Sequence, residues 1–234
     1  MKLSLIIPCY NEAANLPLLL ERCASLAQLP DIEVILVDNG STDNSPEVLQ
    51  ALLPKYPHCR TVRVPVNQGY GFGILSGLNA AQGDLLAWTH ADMQTDPKDV
   101  IRGLEFFTSH GNNKNIYVKG KRIKRPLTDV IFTIGMSIFE TCLLKTRLWD
   151  INAQPNMFSR EFFKSWQNPP HDFSLDLYAY FTARNQGLSV YRFPVEFGER
   201  AHGISHWNVN WAAKMKFIRR TMDFSFELKK RLSK

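Results

Sequence analysis

Short apolar runs alternate with longer segments of helical periodicity through the first half of the chain. The four runs, each with the helical segment that follows it, are 3–7 with 13–26, 34–37 with 46–53, 61–64 with 74–81, and 85–88 with 98–107. Strands that alternate with helices of this size specify right-handed crossovers. The pattern predicts an α/β fold with a mostly parallel sheet flanked by helices on both faces.

Polar clusters follow each predicted strand. They occupy 10–12, 38–43, 67–69 and 90–92. Because ligands of open α/β sheets bind at the carboxyl ends of the strands, these clusters predict one shared site at that edge of the sheet.

The second half has a different pattern. A strand is predicted at 116–118, a basic run at 119–125, an apolar stretch at 126–149, an extended segment at 152–158, a helix at 174–185 and a strand at 188–193. From residue 208 the chain is basic and helical, with Trp211, Met215, Ile218, Met222 and Phe226 recurring on one face. This pattern predicts a domain at 1–207 and an amphipathic helix at 208–234. That helix either packs into the domain's own groove or docks on a membrane surface.

Composition narrows the partners and the compartment. The 234 residues carry a net charge of +6, which suits an anionic nucleotide, a lipid phosphate or an anionic membrane surface. Nucleic acid is not expected, because no zinc-knuckle, helix-turn-helix or RNA-binding signature accompanies the charge. The four cysteines form no C-x-x-C pair and are expected to be reduced core residues, which favours a cytoplasmic location. The uncharged run 130–139 is shorter than the ~20 residues of a membrane span, so no span is expected.

The segment 88–97 carries the most specific chemistry. Asp92 and Gln94 place oxygen atoms at alternate positions directly after a buried strand, where they can hold a hard divalent cation against a diphosphate. Asp96 and Pro97 are typical of a helix start.

Four motifs in order resemble the family 2 glycosyltransferases. They are Ser4 to Glu12, Val37 to Asp43, Asn67-Gln68-Gly69, and Gly83-Asp84 followed by His90-Ala91-Asp92. The resemblance implies a GT-A fold that uses a nucleoside diphosphate sugar and inverts the anomeric carbon. Gly120-Lys121-Arg122 and the segment 194–205 are most similar to the polyprenyl-phosphate branch, the dolichol-phosphate mannose synthase-like enzymes.

That branch implies transfer of a hexose to a polyprenyl phosphate or another membrane-proximal acceptor, by a cytoplasmic protein docked peripherally on the inner face of the membrane. Two alternatives are a transferase acting on a saccharide hydroxyl in surface polysaccharide synthesis and a non-catalytic nucleotide-binding relative.

The resemblance also implies roles for individual residues. The nucleotide is expected to bind Pro8, Tyr10, Glu12, Asp38 and Asp92. Asp92 and Gln94 are expected to bind a divalent cation, Mn²⁺ or Mg²⁺, and Arg200 the leaving diphosphate. Asp176 is expected to contact the sugar and take any acceptor proton, and Arg122 to bind the acceptor phosphate.

Several alternatives stay open for these residues. His90 stands where the family's metal motif begins with aspartate, and is either a ligand for a softer ion or a spacer. Arg122 belongs to a basic run that could be merely solvated, and Asp172 lies one helical turn from Asp176. His206 replaces a lysine common in the branch.

Overall fold

A computed structural model describes residues 1–29, 31–201 and 211–232 of the chain. The strands are β1 (Leu3–Cys9), β2 (Ile32–Asn39), β3 (Cys59–Val64), β4 (Leu85–Trp88), β5 (Ile116–Ile123), β6 (Asn156–Ser159) and β7 (Ser189–Glu196). The helices are α1 (Leu16–Ala24), α2 (Ser45–Leu52), α3 (Tyr70–Ala80), α4 (Asp99–Ser109), α5 (Leu127–Leu144), α6 (Arg160–Lys164), α7 (Leu175–Asn185) and α8 (Trp211–Leu232).

The strands form one sheet in the order β3-β2-β1-β4-β6-β5-β7. Parallel pairing joins β1 to β2 and β4, β2 to β3, and β5 to β7. Only β6, among the described strands, runs against its neighbours β4 and β5. The predicted α/β class and mostly parallel sheet are therefore confirmed.

Apolar side chains cover both faces of the sheet, as buried parallel strands require. On one face Leu5 and Leu36 pack in a cluster that includes Leu20 of α1 and Phe107 of α4. On the other, Ile6 and Trp88 pack in a cluster that takes in α3, α6, α7 and Leu228 of α8. Because the core is filled from both sides, the polar groups that follow the strands are left at one edge of the sheet.

Helix α5 forms most of the apolar stretch 126–149, and few of its residues are buried. Its 18 residues have a mean hydropathy of 1.6 and 17% of them are buried, so by length and composition alone it could cross a membrane. The uncharged run 130–139 is only part of this apolar helix, because α5 continues past Asp129 and Glu140, which bound that run. A core helix can meet the same criterion, so no span is inferred.

Helix α8 packs on α5 and on the domain. Ser225 donates a hydrogen bond to Glu140 at 2.7 Å, the Phe226 ring lies 6.3 Å from that of Phe139, and Leu228 is buried. The boundary predicted at residue 208 lies outside the described residues and stays a prediction.

Two local predictions need correction. Helix α4 begins at Asp99 rather than beside Asp96, whose carboxylate accepts a hydrogen bond from the Lys98 backbone in the turn before the helix. Cys9, Cys23 and Cys59 are free and buried, whereas Cys142 is free but exposed on α5.

Candidate functional site

A cavity of about 690 Å³ opens at the carboxyl ends of β1 and β4 and extends between α5, α7 and α8. Most of the predicted site residues line it: Pro8, Tyr10, Glu12, His90, Asp92, Gln94, Arg122, Asp176 and Arg200. Residues from both halves of the chain therefore form one site, as the strand-end clusters predict.

Asp38 is the exception among the predicted nucleotide-binding residues. It is 2% exposed, its Oδ1 accepts a hydrogen bond from the Ser41 backbone, and its Oδ2 lies 3.6 Å from Arg63. The adjacent Asn39 lines the cavity instead. The carboxylate thus shapes the turn after β2, and the amide beside it faces the ligand space.

Asp92 lies at the centre of the donor end, the part of the cavity where the nucleotide-sugar donor is expected to bind. The backbone turns sharply at Met93, which has a φ of 65°, so that the Gln94 N–H donates to Asp92 Oδ1 at 3.1 Å. Arg200 Nη2 lies 2.8 Å from Asp92 Oδ2. A predicted metal ligand and the predicted diphosphate-binding arginine are therefore in direct contact.

Hydrogen bonds fasten the loop carrying Arg200 to the loop carrying Asp92. Gly198 N–H donates to Gln94 O at 2.9 Å, and Gln94 Nε2 donates to Gly198 O at 3.1 Å. These contacts place a guanidinium and a carboxylate beside the backbone that would approach a diphosphate.

Glu12 completes this end of the cavity. Burial raises the pKa of its carboxyl, which the hydrogen bond from Asn15 counteracts and the nearby charge of Asp92 reinforces. Two carboxylates and one arginine thus share this small volume, and an added cation would relieve their repulsion.

The oxygen ligands at this end of the cavity fit a hard divalent cation. Within the described part of the chain no three His, Cys, Asp or Glu side chains cluster to form a complete metal cage. Mg²⁺ and similar ions need only one or two protein oxygen ligands when substrate phosphates supply the others. Asp92 and the amide oxygen of Gln94 meet that requirement.

His90 lines the cavity beside two aromatic side chains. Its ring lies 5.7 Å from that of Tyr70, and its charge would favour the ionised form of Asp176. Tyr70 in turn stacks on Phe173 at 4.6 Å. The imidazole is therefore part of an aromatic wall.

Asp176 lies at the floor of the cavity and is 2% exposed. Its Oδ1 accepts hydrogen bonds from Gln154 Nε2 at 2.7 Å, Asn156 Nδ2 at 2.9 Å and Trp88 Nε1 at 3.3 Å. Burial raises the pKa of this carboxyl, and the charge of Lys119 acts against that rise. Asp172, the other candidate, is paired with Arg220 of α8 at 3.0 Å.

Arg122 is not a freely solvated base. Its guanidinium contacts Asp150 at 2.5 and 2.8 Å, and the two side chains are 11% and 5% exposed. Arg192 lies 3.5 Å from the same carboxylate. The charge of Arg122 is already compensated by this pair.

Arg125 was not singled out from the sequence, and it is better placed for an anion. It lines the cavity, Nη1 donates to Thr133 at 2.8 Å, and its buried Nε has no hydrogen-bond partner in the described structure. Phe197 packs against both guanidiniums, 5.2 Å from Arg122 and 5.5 Å from Arg125. Nothing in the basic run distinguishes the two arginines, because Asp150 lies far along the chain.

Four more residues escaped the sequence reasoning: Tyr70, Lys119, Gln154 and Asn156. The two amides lie in the segment predicted only as extended, where the amides of Asn152, Gln154 and Asn156 recur at alternate positions, and that alternation was the signal available. His206 and Ser205 lie outside the described residues.

Comparison with known proteins shows the family of this chain. The family described as Glycosyl transferase family 2 matches residues 4–166. An undecaprenyl-phosphate 4-deoxy-4-formamido-L-arabinose transferase from Yersinia enterocolitica is 40% identical over 105 residues, which are 43% of this chain and 32% of that protein. The Photorhabdus laumondii enzyme of the same name is 42% identical over 108 residues, again 43% of this chain and 32% of the relative. The chain thus spans about a third of the length of these relatives.

Solved structures agree on the fold. Glucosyl-3-phosphoglycerate synthase from Mycobacterium tuberculosis, in complex with Mn²⁺, UDP-glucose and phosphoglyceric acid, superposes with a TM-score of 0.72 at 20% identity. The match covers 97% of this chain and 79% of that one. The predicted GT-A fold is confirmed, and with residues 4–166 matching the family, this chain belongs to glycosyl transferase family 2.

Proposed function

We propose that this protein transfers a hexose from a nucleoside diphosphate sugar, with inversion, to a polyprenyl phosphate at a membrane surface. The observation that carries the donor half of this proposal is the contact of Asp92 with Arg200 beside Gln94, at the end of β4 in a family 2 glycosyltransferase. The arrangement offers oxygen ligands and a guanidinium to one diphosphate.

The named relatives and the acceptor end of the cavity support the lipid acceptor. The relatives from Yersinia and Photorhabdus are undecaprenyl-phosphate sugar transferases by name. In this chain Arg125 lies immediately before α5, whose side chains Leu127, Ile131 and Ile138 are 73, 60 and 56% exposed. A guanidinium next to an exposed apolar helix suits a phosphate attached to a hydrocarbon chain.

In the mechanism, the protein's own groups orient the donor and compensate charge. Asp92 and Gln94 would hold a divalent cation, Mn²⁺ or Mg²⁺, which when bound supplies positive charge to the diphosphate. Arg200 neutralises the charge that grows on the leaving diphosphate. Arg125, rather than Arg122, binds the acceptor phosphate, because Arg122 is committed to Asp150.

Asp176 contacts the sugar from the floor of the cavity. A phosphate acceptor is already anionic, so no strong general base is needed. A hydroxyl acceptor would need a base to remove its proton, and Asp176 is the carboxylate placed to do so.

The helices α5 and α8 support peripheral docking on an anionic membrane by a cytoplasmic protein. Met215 and Phe226 of α8 are 45 and 46% exposed, and the helix carries Arg219, Lys229, Lys230 and Arg231. Exposed apolar side chains with flanking bases are what interfacial helices use.

The test is transfer from radiolabelled UDP- and GDP-hexoses to undecaprenyl phosphate in detergent, with Mg²⁺ or Mn²⁺. A lipid-linked hexose supports the proposal. Product only with saccharide acceptors favours the alternative that a hydroxyl is the acceptor. Nucleotide binding without turnover of any donor favours the non-catalytic relative.

A further inference from the structure

Lys119 is a lysine in the interior of the protein, at the centre of β5. It is 0% exposed, and its Nζ donates hydrogen bonds at 2.7 Å to both Ala153 O and Asn156 Oδ1. Burial lowers the pKa of its ammonium to about 7. Burying an ammonium group is costly, so its position calls for a reason beyond packing.

Close packing brings the lysine to this place. A Cβ on Gly120 would lie 1.9 Å from Gln154 O, so only glycine lets β5 approach the segment before β6. The same approach places Lys119 against Asn156. The neighbouring Lys121 is exposed, as most lysines are.

The hydrogen bonds of Lys119 fix the direction of a chain of amides. Asn156 Oδ1 accepts from Lys119 and, at 2.8 Å, from the Tyr117 hydroxyl. The nitrogen of the same amide must therefore face the other way, where it donates to Asp176 Oδ1 at 2.9 Å and to Gln154 Oε1 at 2.7 Å.

Gln154 is oriented by the same rule. Because its oxygen accepts from Asn156, its nitrogen faces Asp176 Oδ1. An ammonium can only donate, so Lys119 imposes one polarity on both amides, and that polarity ends in donors pointed at Asp176.

The charge of Lys119 also stabilises the ionised form of Asp176. Lys119 is the strongest charge favouring ionised Asp176, with His90 next, while burial opposes ionisation. Tyr70 and Tyr117 are the other titratable groups affected by this carboxyl. Lys119 itself also interacts with Arg192 and Arg122, which lower the pKa of its ammonium, and with Asp150, which raises it.

We infer that Lys119 is a positioning residue that holds Asp176 as an ionised, fixed carboxylate at the floor of the cavity. Oδ1 accepts from three protein donors, which leaves Oδ2 for the substrate. An ionised carboxylate has no proton to donate, so Asp176 meets the substrate only as a hydrogen-bond acceptor. The substrate group at this place is therefore a donor, a sugar hydroxyl or N–H, and not a phosphate. This inference rests on the proposed function for its substrate, though not for the coupling of the two charges.

The first measurement needs no substrate. Carbon-13 NMR of aspartate-labelled protein, assigned with Asp176→Asn, follows the titration of the Asp176 carboxyl in the wild-type chain and in Lys119→Met. Loss of the lysine is expected to raise the Asp176 midpoint by about one pH unit or more. An unchanged midpoint in a folded variant overturns the inference.

The variant is expected to fold, because the acceptors of the lysine keep other donors. Tyr117 still donates to Asn156 Oδ1, and Asn156 Nδ2 lies 3.5 Å from Ala153 O. Lys119→Gln, which keeps a donor without the charge, separates orientation from charge. Lys121→Met, an exposed lysine on the same strand, is the matched control and should leave the titration unchanged.

The second measurement is the pH profile of transfer. In Lys119→Met the acidic limb should move to higher pH, and activity on that limb should fall about tenfold for every pH unit that the limb moves, with the donor KM within about twofold. Lys119→Met combined with Asp176→Asn should lose no more activity than Asp176→Asn alone. Additive losses overturn the positioning role. If no donor is turned over, the proposed function fails, while the NMR titration still decides the coupling of Lys119 and Asp176.

Discussion

The N-terminal and C-terminal halves of this protein, to which we assign donor and acceptor binding, build their sites in different ways. In the first, β1 to β4 are parallel, and each delivers its polar groups in the loop directly after the strand. In the second, the groups around Asp176 lie largely within elements: Lys119 in β5, Asn156 in β6 and Asp176 itself in α7. They meet only because β6 runs antiparallel between β4 and β5.

The difference teaches which kind of site a sequence reveals. A loop after a strand presents its ligands whatever surrounds it, so Asp92 and Gln94 could be recognised from spacing. A site made from strand interiors depends on which side chains packing brings together. Similar residues of this half, such as Arg122 in β5 and Arg125 in the loop after it, look alike until their partners are known.

Arg122→Ala should show that the acceptor-facing half depends on a buried ion pair. Removing one partner of a buried pair costs about 3–5 kcal/mol when the charge left behind is uncompensated. Asp150 keeps Arg192 at 3.5 Å, so a loss near the lower end of that range is expected. Thermal or urea unfolding measures this loss. Arg125→Ala, the matched variant, should unfold nearly as the wild type does but raise the KM for undecaprenyl phosphate. If the two variants exchanged these properties, the assignment of Arg125 to the phosphate would be wrong.

Asp92→Asn should do the opposite, leaving stability almost unchanged and removing activity. Loss of a group that compensates a developing charge typically costs about 10²–10³ in rate. Steady-state transfer with saturating Mn²⁺ measures the effect. Asp96→Asn, in the same loop but outside the cavity lining, serves as the control. Near-normal turnover by Asp92→Asn would contradict the assignment of the donor end.

Asp176→Asn tests which acceptor the second half serves. With a hydroxyl acceptor, loss of the base should cost about 10²–10⁴ in rate and the loss should shrink as pH rises. With polyprenyl phosphate we expect only the loss of a hydrogen bond to a charged group, about 10–100-fold, with no recovery at high pH. Full activity with both acceptors would place Asp176 outside the site.

Substitutions on the exposed face of α5 test the membrane surface. The double substitution Ile131→Asp with Ile138→Asp should weaken binding to phosphatidylglycerol liposomes, measured by sedimentation, by more than about tenfold. Each substitution removes roughly 1.5–3 kcal/mol of the free energy gained when the apolar side chain leaves water for the membrane. Surface substitution is preferable to removing α8, since Leu228 belongs to the core. Salt should weaken the binding of the wild-type chain as well. Liposome binding that neither salt nor substitution alters would refute peripheral docking by this surface.

Glu140→Gln should have the smallest effect, a gain in stability that appears only at higher pH. Burial against α8 raises the pKa of the Glu140 carboxyl from 4.5 to about 7. Folding therefore favours the protonated form, and stability declines as pH rises from about 4.5 through 7. The amide variant, which can still accept from Ser225, should be more stable than the wild type by on the order of 1–2 kcal/mol at pH 8 and equal to it near pH 4. Equal stability of the two proteins at pH 8 would show that Glu140 is not desolvated at the α5–α8 contact.

The sequence by itself determined the fold class and the order of the strands along the chain, and it indicated residues for the proposed donor end of the site. Periodicity is a local property, and so is the placement of Asp92 and Gln94 after a buried strand. The family motifs added Arg200, whose contact with Asp92 spans more than a hundred residues.

Only the tertiary structure decided how the charged groups pair. It committed Arg122 to Asp150, placed Asp38 beneath a turn, began α4 at Asp99 and buried Lys119 behind Asp176. The physical reason is that the energy of a charge depends on its burial and on its nearest partners, and both are set by contacts between segments that are distant in the chain. Residue types and spacing show which charges exist, whereas packing determines which of them remain available to a substrate.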